Sequence, residues 1–258
     1  MSLSTPLTST PTAILSALSQ EQQGLIELLN RPQKVSHAGR DFWLGDLHGH
    51  PVVLAVSKIG KVAAATTAAA LIERFGVRRI IFTGVAGGLG AGVNVGDVVV
   101  AADFMQHDLD VSPLFPRYEV PLYGQSRFAS DAHLGGLLFD ASCAALAQSG
   151  LAAHGFAGAC VHRGLIASGD RFVCGVEESS QLRNAAAAAG HAVLAVEMEG
   201  AAVAQVCLDY GVPFAAVRTI SDRADDSAHL DFERFVDEVA SPYAHAIVQK
   251  FLNLLLIK

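Results

Sequence analysis

Strand-length apolar runs alternate with segments of helical period from Thr12 almost to the end of the chain, and neither a Pro/Ser-rich linker nor an internal repeat divides them. Such alternation specifies an α/β fold. We read one domain over residues 12–258 behind a short N-terminal extension, residues 1–11. Strands are expected at Ala13–Leu18, His50–Ser57, Arg79–Thr83, Asp97–Ala102, Arg163–Ala167, Ala192–Val196 and Phe214–Ile220. Ser19 is placed to cap a helix whose first turn holds Gln20, Glu21 and Gln22. Further helices are expected from Val62 to Phe75, from Asp131 to Gln148 and from Glu177 to Ala189. Another, with Val203, Val206, Cys207 and Tyr210 on one face, should stop at Gly211, just ahead of Pro213. The last runs from Phe232 to about Leu256, and its strongly apolar end has either the sheet or another subunit to pack against.

Composition sets the limits of function. With 258 residues, 51% of them hydrophobic and 17% charged, the chain is neither disordered nor dependent on disulfides or metal for a core. A chain this long buries roughly 70 to 75% of its unfolded surface. The net charge of −7, with no run of Lys and Arg, argues against nucleic acid as a partner. No stretch of about 20 apolar residues offers a membrane span. The opening MSLSTPLTSTPT has neither the cationic start nor the apolar segment of a signal peptide, so a soluble cytoplasmic protein is expected. Cys143, Cys160, Cys174 and Cys207 form no CxxC pair and lie among apolar or Ala-rich neighbours, which points to buried free thiols.

In α/β sheets ligands bind outside the carboxyl ends of strands, so polar residues that follow apolar runs come first. Four places qualify: Glu21, the glycines after Thr83, Glu197-Met198-Glu199, and Ser221-Asp222. Carboxylates there without a basic cluster suit proton transfer or hydroxyl recognition better than anion binding. The stretch Gly84 to Gly92 reads as a loop, but Gly84, Gly87 and Gly88 do not make a GxGxxG dinucleotide turn. A close backbone approach, to protein as readily as to ligand, explains glycines there. SKIGKVAAAT lacks the spacing of a phosphate-binding loop, and His48 and His50 have no third ligand nearby and read as an exposed turn rather than a metal site. The irregular stretch from Gln106 to Gln125 carries His, Asp, Pro and aromatic residues, as functional loops do.

SKIGKVAAA from Ser57, TGVAGGL from Thr83, VGDVVV from Val95, HDLDV from His107, GLIASGDRF from Gly164, AVEMEGAAVAQVC from Ala195 and VPFAAVRTISDRAD from Val212 together resemble the 5′-methylthioadenosine/S-adenosylhomocysteine nucleosidases, in order and in approximate spacing. The resemblance implies a three-layer α/β/α fold with a twisted mixed central sheet, a homodimer, no metal and no organic cofactor. It implies hydrolysis of an N-ribosidic bond through an oxocarbenium-like transition state, with adenine as leaving group. By resemblance Asp222 is the acid that protonates the purine, and it needs a raised pKa to serve near neutrality. Glu21 matches the water-activating glutamate, Glu199 the carboxylate that accepts from the ribose hydroxyls, and Met198 packs at the sugar. Phe172 matches the aromatic that stacks on adenine, and the main chain of Val173 meets the purine edge. Arg218 and Glu197 support water and sugar, Ser221 partners the acid, and Phe232 closes an apolar slot over the 5′ substituent.

The chain departs from the family pattern at several places. Val85 stands where TGSAGG has a serine, Leu18 where methionine is frequent, and Gln106 where tyrosine precedes HDxDV; RADDSAHLDF is one residue longer than usual. The rival readings are a purine nucleoside phosphorylase, a futalosine-type hydrolase and a nucleoside-binding protein without turnover. A phosphorylase places an arginine just before the Gly-rich turn, where this chain has Ile81 and Phe82, and a carboxylate at Glu21 would repel phosphate.

Overall fold

The computed structural model describes residues 10–148, 158–224 and 232–256. Its elements follow the expected alternation: β1 Thr12–Ser16, α1 Ser19–Glu27, β2 Asn30–His37, β3 Arg40–Leu47, β4 His50–Val56, α2 Lys61–Phe75, β5 Arg79–Gly88, β6 Val98–Gln106, β7 Phe128–Ala129 and α3 Ala132–Leu146. The chain continues with β8 Val161–Ser168, α4 Val176–Ala188, β9 Val193–Glu197, α5 Gly200–Tyr210 and β10 Phe214–Asp222. It ends in α6 Phe232–Phe235, a π-helical segment Val236–Ala240, and α7 Ser241–Leu256. The single helix expected from Phe232 is thus three successive pieces. Gly211, with φ 62°, ends α5 in the left-handed conformation that only glycine adopts without strain.

Among the described residues the strands form one mixed sheet in the order β10-β6-β8-β9-β5-β1-β4-β3-β2, and β10 also pairs with β5, so five of the strands close into a ring. Strand periodicity assigns the layers. Ala13 and Leu15 of β1, Val53 and Ala55 of β4, and Ile80 and Phe82 of β5 pack in a core that includes Ala64, Ala68 and Leu71 of α2 and Val203 and Cys207 of α5. Their neighbours Ile14, Val52, Leu54 and Ile81 point the other way, toward Leu25 of α1, Leu138 of α3 and Ile247, Val248 and Phe251 of α7. The apolar end of the chain therefore packs on the sheet. No described helix is long and apolar enough to cross a membrane.

Several expectations need correction. Residues 84–88 continue β5 rather than starting a loop. Their glycines let neighbours come close: a methyl group on Gly84 would lie 3.3 Å from the Arg218 guanidinium, and one on Gly87 2.9 Å from Asp222 Oδ1. Of the four free cysteines only Cys207 is buried; Cys174 is half-buried, and Cys143 and Cys160 are exposed. Cys143 lies off the stripe of Leu134, Leu137, Leu138, Ala141 and Ala145 that α3 turns to the core, which apolar neighbours in sequence do not reveal. His48 does sit in a turn, with φ 52°, whereas His50 opens β4 and is buried. The hairpin β2–β3 was not expected, because β2 is almost wholly exposed and has no alternating apolar face. The residues that lengthen RADDSAHLDF, and most of the N-terminal extension, lie outside the described residues.

Candidate active site

One edge of β5 is shared by two strands that diverge. β1 pairs in parallel along Arg79 to Thr83, while β9 pairs antiparallel at Gly87 and Gly88. Between them β5 presents Gly84, Val85 and Ala86 to an opening flanked by the chain leaving β1 and the chain leaving β9. A cavity of about 160 Å³ lies here, lined by Ala17 and Leu18, by Val85 to Gly87, and by Val196 to Glu199. Ser221 and Asp222 at the end of β10, together with Ile59, Arg171, Phe172, Val173 and Phe232, complete its wall. Of the expected site residues, Glu197, Met198, Glu199, Phe172, Val173, Ser221, Asp222 and Phe232 all line it; Glu21 and Arg218 are not among its lining residues and are buried.

Glu21 owes its position to the first turn of α1. Leu18, not Ser19, is the N-cap residue, and its side chain cannot serve the free N–H groups; the Ser19 hydroxyl instead donates to Gln20. Glu21 Oε2 takes over, accepting from Leu18 N–H at 3.0 Å and Ala17 N–H at 3.2 Å. Its other oxygen, Oε1, is buried without a hydrogen-bond partner among the described residues. Burial, partly offset by those N–H groups and by the Arg218 charge, raises the Glu21 pKa to about 7.

Arg218 is fully buried inside the apolar run of β10. Such a cation requires partners: NH2 donates to Glu197 Oε2 at 2.8 Å, NH1 to the carbonyls of Phe82 and Val217, and the guanidinium lies 4.1 Å from the Phe82 ring centre. Its Nε, like Glu21 Oε1, has no partner among the described residues. Glu197 in turn caps α5, accepting from Gly200 N–H at 2.9 Å and from the Ser168 hydroxyl. Glu199 Oε1 accepts from Gly60 N–H at 2.8 Å. Burial and then the Glu197 charge raise the Glu199 pKa to about 7, against the pull of Gly60 N–H and Arg218. Asp222 accepts from the Ser221 hydroxyl and from Ala224 N–H, each at 2.7 Å.

Ser168 and Gly60 were missed in the sequence. Both fall inside the conspicuous segments GLIASGDRF and SKIGK, so the signal was present, but nothing local says that they hold Glu197 and Glu199. Gln106, noted as a departure, donates to Gln205 Oε1 at 2.9 Å and accepts from Lys61 Nζ at 3.1 Å.

The raised pKa values have a consequence for stability. From pH 4.5, the ordinary value, to about 7, the folded protein keeps a proton on Glu21 that the unfolded chain has lost. This contribution is therefore complete below pH 4.5 and disappears as pH rises through about 7. Thermal melts of the native protein and Glu21→Gln across that range should show the native protein losing ground as pH rises, by at most about 1.4 kcal/mol per pH unit. A constant difference would contradict the buried placement of this carboxyl.

A twisted mixed sheet with a carboxylate-lined cavity at the strand ends defines the class: residues 11–253 match the model of the phosphorylase superfamily, and the chain is a member of it. It is 36% identical to the 5′-methylthioadenosine/S-adenosylhomocysteine nucleosidase of Shewanella halifaxensis over 224 residues, 86% of this chain and 90% of that one. A crystal structure of the Neisseria meningitidis 5′-methylthioadenosine/S-adenosylhomocysteine nucleosidase in complex with methylthio-immucillin-A superposes with TM-score 0.82 at 37% identity, covering 95% of this chain and all of that one. A futalosine hydrolase mutant of Helicobacter pylori superposes with TM-score 0.83 at 30% identity, with the same coverage. Within the superfamily, the chain belongs to the 5′-methylthioadenosine/S-adenosylhomocysteine nucleosidase family.

Proposed function

We propose that this protein hydrolyses the N-ribosidic bond of 5′-methylthioadenosine, S-adenosylhomocysteine or both, and releases adenine. One observation supports hydrolysis over phosphorolysis above the rest: Glu21, Glu197 and Glu199 share the field of one buried cation, Arg218. Arg171, at the cavity wall, is paired with Glu178 at 2.7 Å. Where Glu21 and Glu199 are ionised, above about pH 7, a phosphate ion would meet net repulsion there, whereas a neutral water would not.

In this reading Asp222 gives a proton to purine N7 as the electrons of the C1′–N9 bond move into the base. Water, held between Glu21 Oε1 and Arg218 Nε, adds to C1′ and passes its proton to Glu21. With Val85 supplying no hydroxyl, those two groups do the holding. Glu199 Oε1 is occupied by Gly60, which leaves Oε2 for the ribose hydroxyls, with Met198 against the sugar. Phe172 stacks on the base beside the Val173 main chain, Ser221 orients Asp222, and Phe232, whose ring centre is 6.2 Å from that of Phe172, borders the 5′ substituent.

Phe172→Ala should raise KM roughly 5- to 150-fold, the equivalent of about 1 to 3 kcal/mol of base stacking, with a smaller change in kcat. Steady-state kinetics on 5′-methylthioadenosine measures this, and an unchanged KM would remove Phe172 from the base subsite. The similarity to a futalosine hydrolase favours a second reading, cleavage of futalosine by the same groups. A panel of 5′-methylthioadenosine, S-adenosylhomocysteine, 5′-deoxyadenosine, adenosine, inosine and futalosine, each with and without phosphate, separates the two. Exposed Ile59, Val62, Leu114 and Leu122 accord with a homodimer, testable by sedimentation of the purified protein.

A further inference from the structure

Helix α1, which carries Glu21, has a glycine in its interior. Gly24 weakens a helix of only nine residues, the helix on which Glu21 depends for its position. Packing explains the residue. The imidazole of His245, from the second turn of α7, fills the space where a side chain at position 24 would be: a methyl group there would lie 1.9 Å from Cε1, 2.7 Å from Nε2 and 2.9 Å from Nδ1. Its Nε2 is buried without a partner among the described residues. Burial pushes its pKa below the ordinary histidine value, against the pull of the Glu21 carbonyl and of Glu27.

We infer that His245 is a positioning residue for Glu21: by seating in the notch at Gly24, three residues along α1 from Glu21, it fixes the rotation of α1 that aims Glu21 Oε1. The inference rests on the reading that Glu21 holds the water. Of the nine residues of α1 only Glu21, Gln22 and Leu25 are buried, and Leu25 is the core anchor among them, so the seat at Gly24 adds a second point that resists rotation. The main-chain N–H groups of Ala17 and Leu18 fix Oε2, and their own placement follows that of the first turn. A small rotation of α1 moves Oε1 while leaving Glu199, Phe172 and Asp222, which stand on other elements, where they are. The effect should therefore fall on kcat and not on substrate binding.

Four variants test this on the full chain with 5′-methylthioadenosine: Gly24→Ala, His245→Ala, the double variant, and Glu21→Gln. Gly24→Ala introduces a better helix former, yet its methyl group must expel the imidazole, so kcat should fall about a hundredfold with KM within about twofold, the scale set by a displacement near 1 Å. His245→Ala should lower kcat in the same sense. The double variant should match His245→Ala alone, because the methyl group then meets no ring. Native kcat in Gly24→Ala, a loss in KM instead, or losses that multiply in the double variant would overturn the inference. If Gly24→Ala fails to fold by circular dichroism, His245→Ala decides alone, since it only removes atoms: native kcat refutes, and a selective loss in kcat supports. Glu21→Gln separates the two levels: if it retains native turnover, the reading of Glu21 fails and this inference with it. If Glu21→Gln is inactive while the other variants turn over normally, only the role of His245 is lost.

Discussion

Asp222→Asn is expected to lower turnover of 5′-methylthioadenosine by about two to four orders of magnitude while leaving affinity for adenine and unreactive nucleosides within a few-fold of native. Asparagine has nearly the same shape and can still accept from Ala224 N–H through its amide oxygen, so the end of β10 should keep its form. What is lost is the proton for the leaving purine. Absorbance-monitored adenine release gives the rate, and calorimetric titration with adenine gives the affinity. Native turnover in this variant would remove Asp222 from the reaction, and a collapse of affinity would make it a binding group instead.

The second large effect concerns the buried cation. Arg218→Met replaces the guanidinium by an apolar chain of comparable length and leaves Glu197 without its ion-pair partner, 2.8 Å away in the native protein. Breaking one side of a buried pair costs about 3–5 kcal/mol. In a chain of this size that should appear as a fall in melting temperature of roughly 10 °C. Activity should drop as well, because the water loses the Nε donor and Glu21 and Glu199 lose the positive charge that opposes their protonation. A restoration of stability in Arg218→Met/Glu197→Gln, without restoration of turnover, would separate the structural from the chemical contribution of the guanidinium. A melting temperature unchanged in Arg218→Met would contradict the buried pairing.

Much of the layered fold could be read from the sequence because successive residues of β1, β4 and β5 feed opposite cores, so the strands are apolar on both faces and stand out as continuous runs. β2 escaped notice for the opposite reason: an exposed strand carrying Pro32 and Lys34 buries no side chain and leaves no pattern. The end of β5 was hidden by its glycines, whose absent side chains make room for Arg218 and Asp222 but look locally like a turn. Carboxylates at strand ends were legible, since Glu197 directly follows the apolar run of β9 and Glu199 and Asp222 come within three residues of such runs. Arg218 offered a signal too, as a cation within VPFAAVRTI has to be paired, although the partner, Glu197, sits on another strand. The fit of His245 to Gly24 had no local signature: it is a complementarity between helices far apart in the chain, visible only when α7 lies on α1.

Hydrolysis in H₂¹⁸O without phosphate, followed by mass spectrometry of the sugar, addresses the central proposal directly: water is the incoming group at C1′. The account predicts adenine release at the same rate with and without phosphate, with one ¹⁸O at C1′ of the product when the sample is quenched before exchange. A pentose 1-phosphate, or adenine release only after phosphate is added, would contradict it.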